Sequence, residues 1–274
     1  MKNLIFYICF NLISLFIPIY LVQAQTAQQK LMEAEKAYEA HEIEKTRQLI
    51  EEAIRLDSNY AEAYARRGLL YYEFSDWVGA IRNYEKAIFL KPKVAKFHYD
   101  CGVAHYQLGQ KDQAMRKFSQ ALDIQPDYPE AHTAQGVLYE EKEDFKQALK
   151  AYNAALKADP QYPIAHYNRG LIYYNQGNAK KAIDDFNQAI LANPQYVDVY
   201  VTRGFVYGES KDYPKALADF DKAIEINPHL AEAYLNRGII YSRLSKTQAA
   251  CQDWKKAQEL GNVEVEKLLA EYCQ

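Results

Sequence analysis

No cluster of basic residues occurs anywhere in this chain. Its 33 lysines and arginines are scattered among 36 acidic residues, for a formal net charge of −3. That scatter removes the electrostatic footprint that a nucleic-acid-binding surface leaves, so no nucleic-acid partner is expected. Catalytic patterns are missing as well. There is no P-loop, no Cys-x-x-Cys pair, and no Ser/His/Asp or Cys/His nucleophile arrangement. The many carboxylates fall on the outer faces of amphipathic segments, where solvation is their default. Without convergent titratable groups the chain is expected not to be an enzyme and to need no cofactor.

Glycine is scarce, 11 residues in 274, and its placement is regular. Gly68, Gly102, Gly136, Gly170, Gly204 and Gly238 recur every 34 residues. A fixed period of this length signals stacked units that bury surface against their neighbours. Other columns keep the same register. Three places after each glycine stands a ring: Tyr71, His105, Tyr139, Tyr173, Tyr207, Tyr241. Sixteen places after stands a larger one: Tyr84, Phe118, Tyr152, Phe186, Phe220, Trp254. Alanine holds two further columns, from Ala80 and from Ala87. Proline closes five units, at Pro92, Pro126, Pro160, Pro194 and Pro228.

Within each unit apolar residues fall at helical spacing in two runs of roughly 12–14 residues. The glycines and alanines are small where the two helices of a hairpin must cross closely, and the rings are expected to fill the space between hairpins. Proline ends the unit because it offers no backbone donor and turns the residue before it away from helical angles. Asp76, Asp144, Asn178 and Asp212 stand in the short turn where a side chain caps the second helix. Pro214 falls in a first helical turn, where proline is tolerated.

This pattern resembles the tetratricopeptide repeat, over residues 27–262 in seven units of 34. The first is degenerate, with Ala34 in place of glycine and Ser58 in place of proline. The resemblance implies an all-α fold: a right-handed superhelical solenoid of helix-turn-helix hairpins, closed by a C-terminal capping helix within residues 263–274. It also implies that positions about four places beyond the glycine look into a groove lined by the first helices. The candidate groove is Tyr38, Tyr72, Glu73, Tyr99, Tyr106, Glu141, Tyr167, Tyr174, Asn175 and Glu209. That groove is aromatic and mildly acidic, suited to a peptide or partner segment with basic and apolar character. The lysine/asparagine clamp of family members that grip chaperone C-termini is absent. Ala65 with Leu69, Tyr99 with Val103, and Tyr167 with Leu171 stand in its places.

Arginine precedes the glycine in four repeats, Arg67, Arg169, Arg203 and Arg237. Sixteen places on, three of these carry Asp185, Asp219 and Asp253, and the fourth Asn83. The repeats without arginine pair Cys101 with Lys117 and Gln135 with Ala151. Residues that come and go together predict a ladder of contacts between the helices of a hairpin, with Arg169–Asp185, Arg203–Asp219 and Arg237–Asp253 as ion pairs. His98, His132 and His166 are also 34 apart, but stacked helices lie about 10 Å from each other, too far for shared ligation. They stand in a column otherwise held by Tyr64, Tyr200 and Tyr234, so no metal is expected there.

The N-terminus is of another kind. Lys2 is the sole charge before Lys30, residues 4–22 are almost wholly apolar, and Val22-Gln23-Ala24 ends the run. Residues 1–24 therefore read as a cleaved signal peptide, with an uncleaved anchor as the alternative and the one route to membrane contact. Export is expected to bring the chain to the periplasm or cell envelope, or outside the cell if it is released. In that oxidising setting Cys251 and Cys273 are candidates for a disulfide that pins the capping helix. Cys101 reads as a small buried hydrophobe. The expected role is a non-catalytic interaction scaffold of the envelope. The alternative is a structural subunit of an envelope assembly that uses the convex face or the repeat ends.

Overall fold

A computed structural model describes residues 26–273. The apolar stretch 4–22 and its cleavage site lie outside the described residues. Every regular element among them is a helix. In chain order they are α1 (26–39), α2 (Ile43–Leu56), α3 (Ala61–Glu73), α4 (Trp77–Leu90), α5 (Ala95–Gln107), α6 (Lys111–Ile124), α7 (Pro129–Glu140), α8 (Phe145–Ala158), α9 (Pro163–Asn175), α10 (Ala179–Ala192), α11 (Val197–Glu209), α12 (Tyr213–Ile226), α13 (Ala231–Arg243), α14 (Thr247–Glu259) and α15 (Val265–Tyr272). None is long and apolar enough to cross a membrane. The residues divide into two compact units between Ala131 and His132. In each, consecutive helices pair into hairpins, and each hairpin packs on the next.

The turns explain why the helices stop and start where they do. Asp76, Asp144, Asn178 and Asp212 accept from the backbone N–H of Gly79, Gln147, Lys181 and Lys215, satisfying a donor that the first helical turn leaves free. Each turn also needs one left-handed residue. Glycine supplies it at Gly109 and Gly177, whereas His41, Ser75, Glu143, Lys211 and Ser245 adopt it with φ between 57° and 61°. A residue with a Cβ is strained there by about 1–2 kcal/mol, so the hairpin packing must hold these turns in place.

The core is built from the columns. A Cβ placed on Gly170 would stand 2.6 Å from Phe186 Cε1, and one on Gly102 the same distance from Phe118. The large ring thus rests on the glycine of its own hairpin rather than only filling the gap to the next. It reaches that gap as well: in unit 1 Tyr84 packs with Cys101 and Ala104 of α5, and in unit 2 Phe186 packs with Val199 and Val206 of α11.

Arginine completes the ladder. Arg203 donates from Nε and Nη2 to Asp219 at 2.9 and 2.6 Å, and Arg169 and Arg237 meet Asp185 and Asp253 in the same way. Each arginine also reaches back to the preceding hairpin: Arg169 to Asn153, Arg203 to Asn187, Arg237 to Asp221, and Arg67 to Glu51. In the repeat that carries Cys101 the rung is inverted. Lys117, in the aspartate column, spans the same gap and meets Glu85 of the preceding hairpin at 2.6 Å.

The histidine column has a structural task. His98 and His166 donate from Nε2 to the carbonyls of Pro92 and Pro160, six residues upstream. Tyr200 and Tyr234 do the same from their hydroxyls to Pro194 and Pro228. Either ring offers a donor at that reach, which explains their interchange.

Cys251 and Cys273 are joined by a disulfide that ties α14 to the end of α15. Val265 is fully buried against α14, and Tyr272 lies against Trp254 with ring centroids 5.8 Å apart. For a separation of 22 residues the bond contributes about 3 kcal/mol by restricting the unfolded chain. Reduction is expected to release α15 first, seen as loss of amide protection over residues 265–272 and a shift in Trp254 emission. Unchanged protection after complete reduction would show that packing alone holds the helix.

Candidate functional site

The expected groove residues lie on or just after the first helices of their hairpins, Glu141 in the turn that follows α7, and they divide between the two units. In unit 1 the Tyr38 hydroxyl donates to the Glu73 carboxylate, and the Arg66 guanidinium lies 5.7 Å above the Tyr38 ring. The Tyr72 hydroxyl accepts from Gln107 Nε2 at 3.3 Å, and its ring meets Trp77 edge-on at 4.8 Å. Tyr99 lies between Phe118 and Tyr128, at 5.7 and 5.2 Å. Tyr106 is half-buried. In unit 2 the hydroxyl of Tyr167 is 3.2 Å from Thr202 Oγ1, and its ring packs on Tyr196 at 5.3 Å. Tyr174 meets Phe205 edge-on. Glu209 is paired with Arg243, while Asn175 and Glu141 are exposed.

These contacts run mostly from one hairpin to the next. The rings therefore share two tasks, linking neighbouring first helices and presenting a polar tip. Tyr99 and Tyr167 are the most committed to packing. Tyr38, Tyr72 and Tyr174 are half-buried as well, with one ring contact or none each among the described residues.

In unit 1 α1, α3 and α5 form a recess of about 270 Å³. Its apolar lining is Leu31, Ala65, Leu69 and Phe97, ringed by Glu35, Glu62, Arg66, Lys96 and Asp100. All five of these charges sit in ion pairs, Arg66–Glu35 at 2.7 Å, Lys96–Asp100 at 3.2 Å and Glu62 with Lys91 at 2.5 Å. Solvated pairs of this kind contribute about 0–1 kcal/mol, so a ligand's cation replaces one at little loss. Two of these carboxyls remain incompletely compensated by their lysines. Glu62 Oε2 is buried with no hydrogen bond. Burial pushes the Asp100 carboxyl above the usual carboxylate range, and Lys96 offsets only part of that. A basic group or a backbone N–H brought to Glu62 Oε2 would give that oxygen a partner.

None of the residues lining this recess was among the groove residues expected from the sequence. Its signal was present in Ala65 and Leu69, which stand where the chaperone-binding clamp has polar residues. An apolar pair in those places makes a floor. A larger recess of about 430 Å³ lies beside α2 and the turn after α3, but its charges pair among themselves, Arg47 with Glu44 and Arg67 with Glu51.

Comparison with known proteins agrees with this geometry. Sequence models described as tetratricopeptide repeat match residues 133–197, 197–230 and 220–252, and one described as TPR repeat matches 75–109 and 105–143. No curated protein matches the chain. Among solved structures, the APC/C hetero-tetramer Cut9–Hcn1 aligns over 93% of this chain with a TM-score of 0.72 and 14% identity. This chain spans only 55% of the length of that one. PilW, a type IV pilus biogenesis factor, aligns over 76% of this chain and 98% of its own, with a TM-score of 0.66 and 23% identity. YrrB, whose structure was described as having an unusual peptide-binding site, aligns over 69% and 97%, with a TM-score of 0.56 and 21% identity. At these identities the likeness is one of fold.

Proposed function

This chain belongs to the tetratricopeptide repeat family, and on that premise we propose that it is a non-catalytic interaction scaffold holding a partner's extended segment against its first helices. The observation that carries this reading is the recess of α1, α3 and α5. An apolar floor of Leu31, Leu69 and Phe97 is joined to a buried, unpartnered Glu62 oxygen. A segment with an apolar side chain and a neighbouring lysine or arginine fills the first and satisfies the second. Tyr38 and Tyr72 border the same face and add contact area with polar tips.

The apolar stretch at residues 4–22 supports a place in the cell envelope, and the likeness to PilW agrees with it. The groove residues Tyr106, Glu141, Tyr167, Tyr174, Asn175 and Glu209 extend the same role to later repeats.

The test is capture of partners from the native cell envelope by the immobilised protein. Leu69→Glu and the triple Tyr72→Ala/Tyr106→Ala/Tyr174→Ala form are compared with the unaltered chain. Placing a carboxylate on the recess floor is expected to weaken the captured partner by at least about tenfold, equivalent to 1.4 kcal/mol. A partner held equally by all three forms would move function to the opposite face or the repeat ends, as a structural subunit of an assembly would use them.

A further inference from the structure

We propose that Glu85, Cys101 and His105 form a binding site for a zinc-like divalent ion between α4 and α5. Cys101 and His105 are four residues apart on α5 and therefore project from one face of the helix. Glu85 reaches them from α4, and the three donor atoms lie within 4.8 Å of one another. A thiolate, an imidazole and a carboxylate make a three-ligand zinc set that leaves a fourth position for water. The atoms need close by only about 1 Å to reach zinc–ligand distances of about 2.0–2.3 Å.

Three features of the surroundings bear on a cation, the first opposing it and the other two in its favour. In four repeats the position of Cys101 carries the arginine of the ladder; here that guanidinium is missing, and Lys117 comes in from the other side to rest on Glu85. That ammonium competes with an incoming ion for Glu85, and the ion would take its place. The Nδ1–H of His105 donates to Gln110 Oε1 at 2.7 Å, which leaves the lone pair on Nε2 and fixes the ring. Metal-binding histidines are held this way by an outer-shell acceptor. Finally, Glu85 is exposed, so the cluster has a path from solvent although Cys101 is fully buried.

The balance of the step is simple. Cys101 is fully buried, and a buried thiol is in its neutral form in the free protein. On binding, the thiol proton leaves to solvent and the ion takes its place on sulfur. Lys117 withdraws from Glu85 into water. The two anionic ligands then neutralise the divalent charge.

The experiment titrates the chelator-treated full chain, its disulfide intact, with cobalt(II) as a spectroscopic stand-in for zinc. The expected result is a thiolate-to-cobalt charge-transfer band that saturates at one ion per chain and is bleached by zinc. Cys101→Ala should abolish the band, and His105→Gln should weaken binding by at least about tenfold, as loss of a ligand or its support does. Lys117→Gln should tighten it by removing the competitor for Glu85. Circular dichroism of each variant confirms that it is folded. No charge-transfer band in the unaltered chain would overturn the site, as would a band that survives Cys101→Ala. Unaltered or weaker binding by Lys117→Gln would remove Glu85 from the ligand set.

Discussion

Arg203→Ala is expected to lower stability by about 3–5 kcal/mol, far more than removal of any exposed charge on this protein. The reason is what the truncation leaves behind. Asp219 is buried, with 5% of its surface exposed, and both of its oxygens are held by Arg203. Without the guanidinium a carboxylate is stranded between α11 and α12. The contact to Asn187 of the preceding hairpin is lost as well, and so is the cation over the rings of Tyr200 and Tyr207. The double form Arg203→Ala/Asp219→Ala should recover a large part of the loss, because the stranded charge goes with its partner. Chemical denaturation of the two forms checks this. Equal stability would mean that the arginine contributes only its packing.

Acid treatment tests another rung. Burial raises the Asp185 carboxyl, but Arg169 and His166 outweigh it and hold the group below the usual carboxylate range. A depressed native value means that the unfolded chain binds the proton more readily. The rung's contribution is therefore full above the ordinary aspartate value of about 4 and is lost as pH falls through the lower native value.

Phe186→Ala is expected to lower stability by about 3–5 kcal/mol through the cavity it leaves. The ring is fully buried, rests on Gly170, and packs with Ala182, Ala189, Val199 and Val206. Filling the site from the opposite side is also unfavourable. Gly170→Ala places a methyl 2.6 Å from Phe186 Cε1 and 3.3 Å from Asp185 Cβ, so the helices must part or the ring must shift. Overpacking of this kind is expected to destabilise by about 1–3 kcal/mol. The two changes should not add. Phe186→Leu in the Gly170→Ala background makes room for the methyl, and it should be less harmful there than alone. Additive losses would show that the glycine is needed for some reason other than the ring above it.

The hairpins were legible because a small residue and a large ring sixteen places later are a size rule repeated six times. Their physical meaning was only half legible. The register showed that Arg203 and Asp219 vary together, so the contact within a hairpin could be read. The backward contact to Asn187 could not, although its column of Glu51, Asn153, Asn187 and Asp221 is polar throughout. The same was true of Glu85, whose pairing with Lys117 inverts the usual order of charges. The groove shows the limit most clearly. A tyrosine at a first-helix position suits packing and recognition equally, and only coordinates separate Tyr99, wedged between two rings, from Tyr38, whose hydroxyl reaches the next hairpin. The turns were illegible for another reason. Ser75, Glu143 and Lys211 carry no mark of the left-handed backbone that the packing imposes on them.

The inverted rung makes the order of the units matter. A hairpin bearing arginine before its glycine docks on any predecessor that offers an amide or an acid, as Asn153, Asn187, Asp221 and Glu51 all do. The hairpin of α5 and α6 lacks that arginine and makes its bridge with Lys117, which calls for an acid at the place of Glu85. Shuffled behind a predecessor with asparagine there, it would lose its ion pair. Arginine-bearing hairpins are thus expected to tolerate a change of predecessor between amide and acid, whereas the unit carrying Cys101 is matched to the neighbour it has.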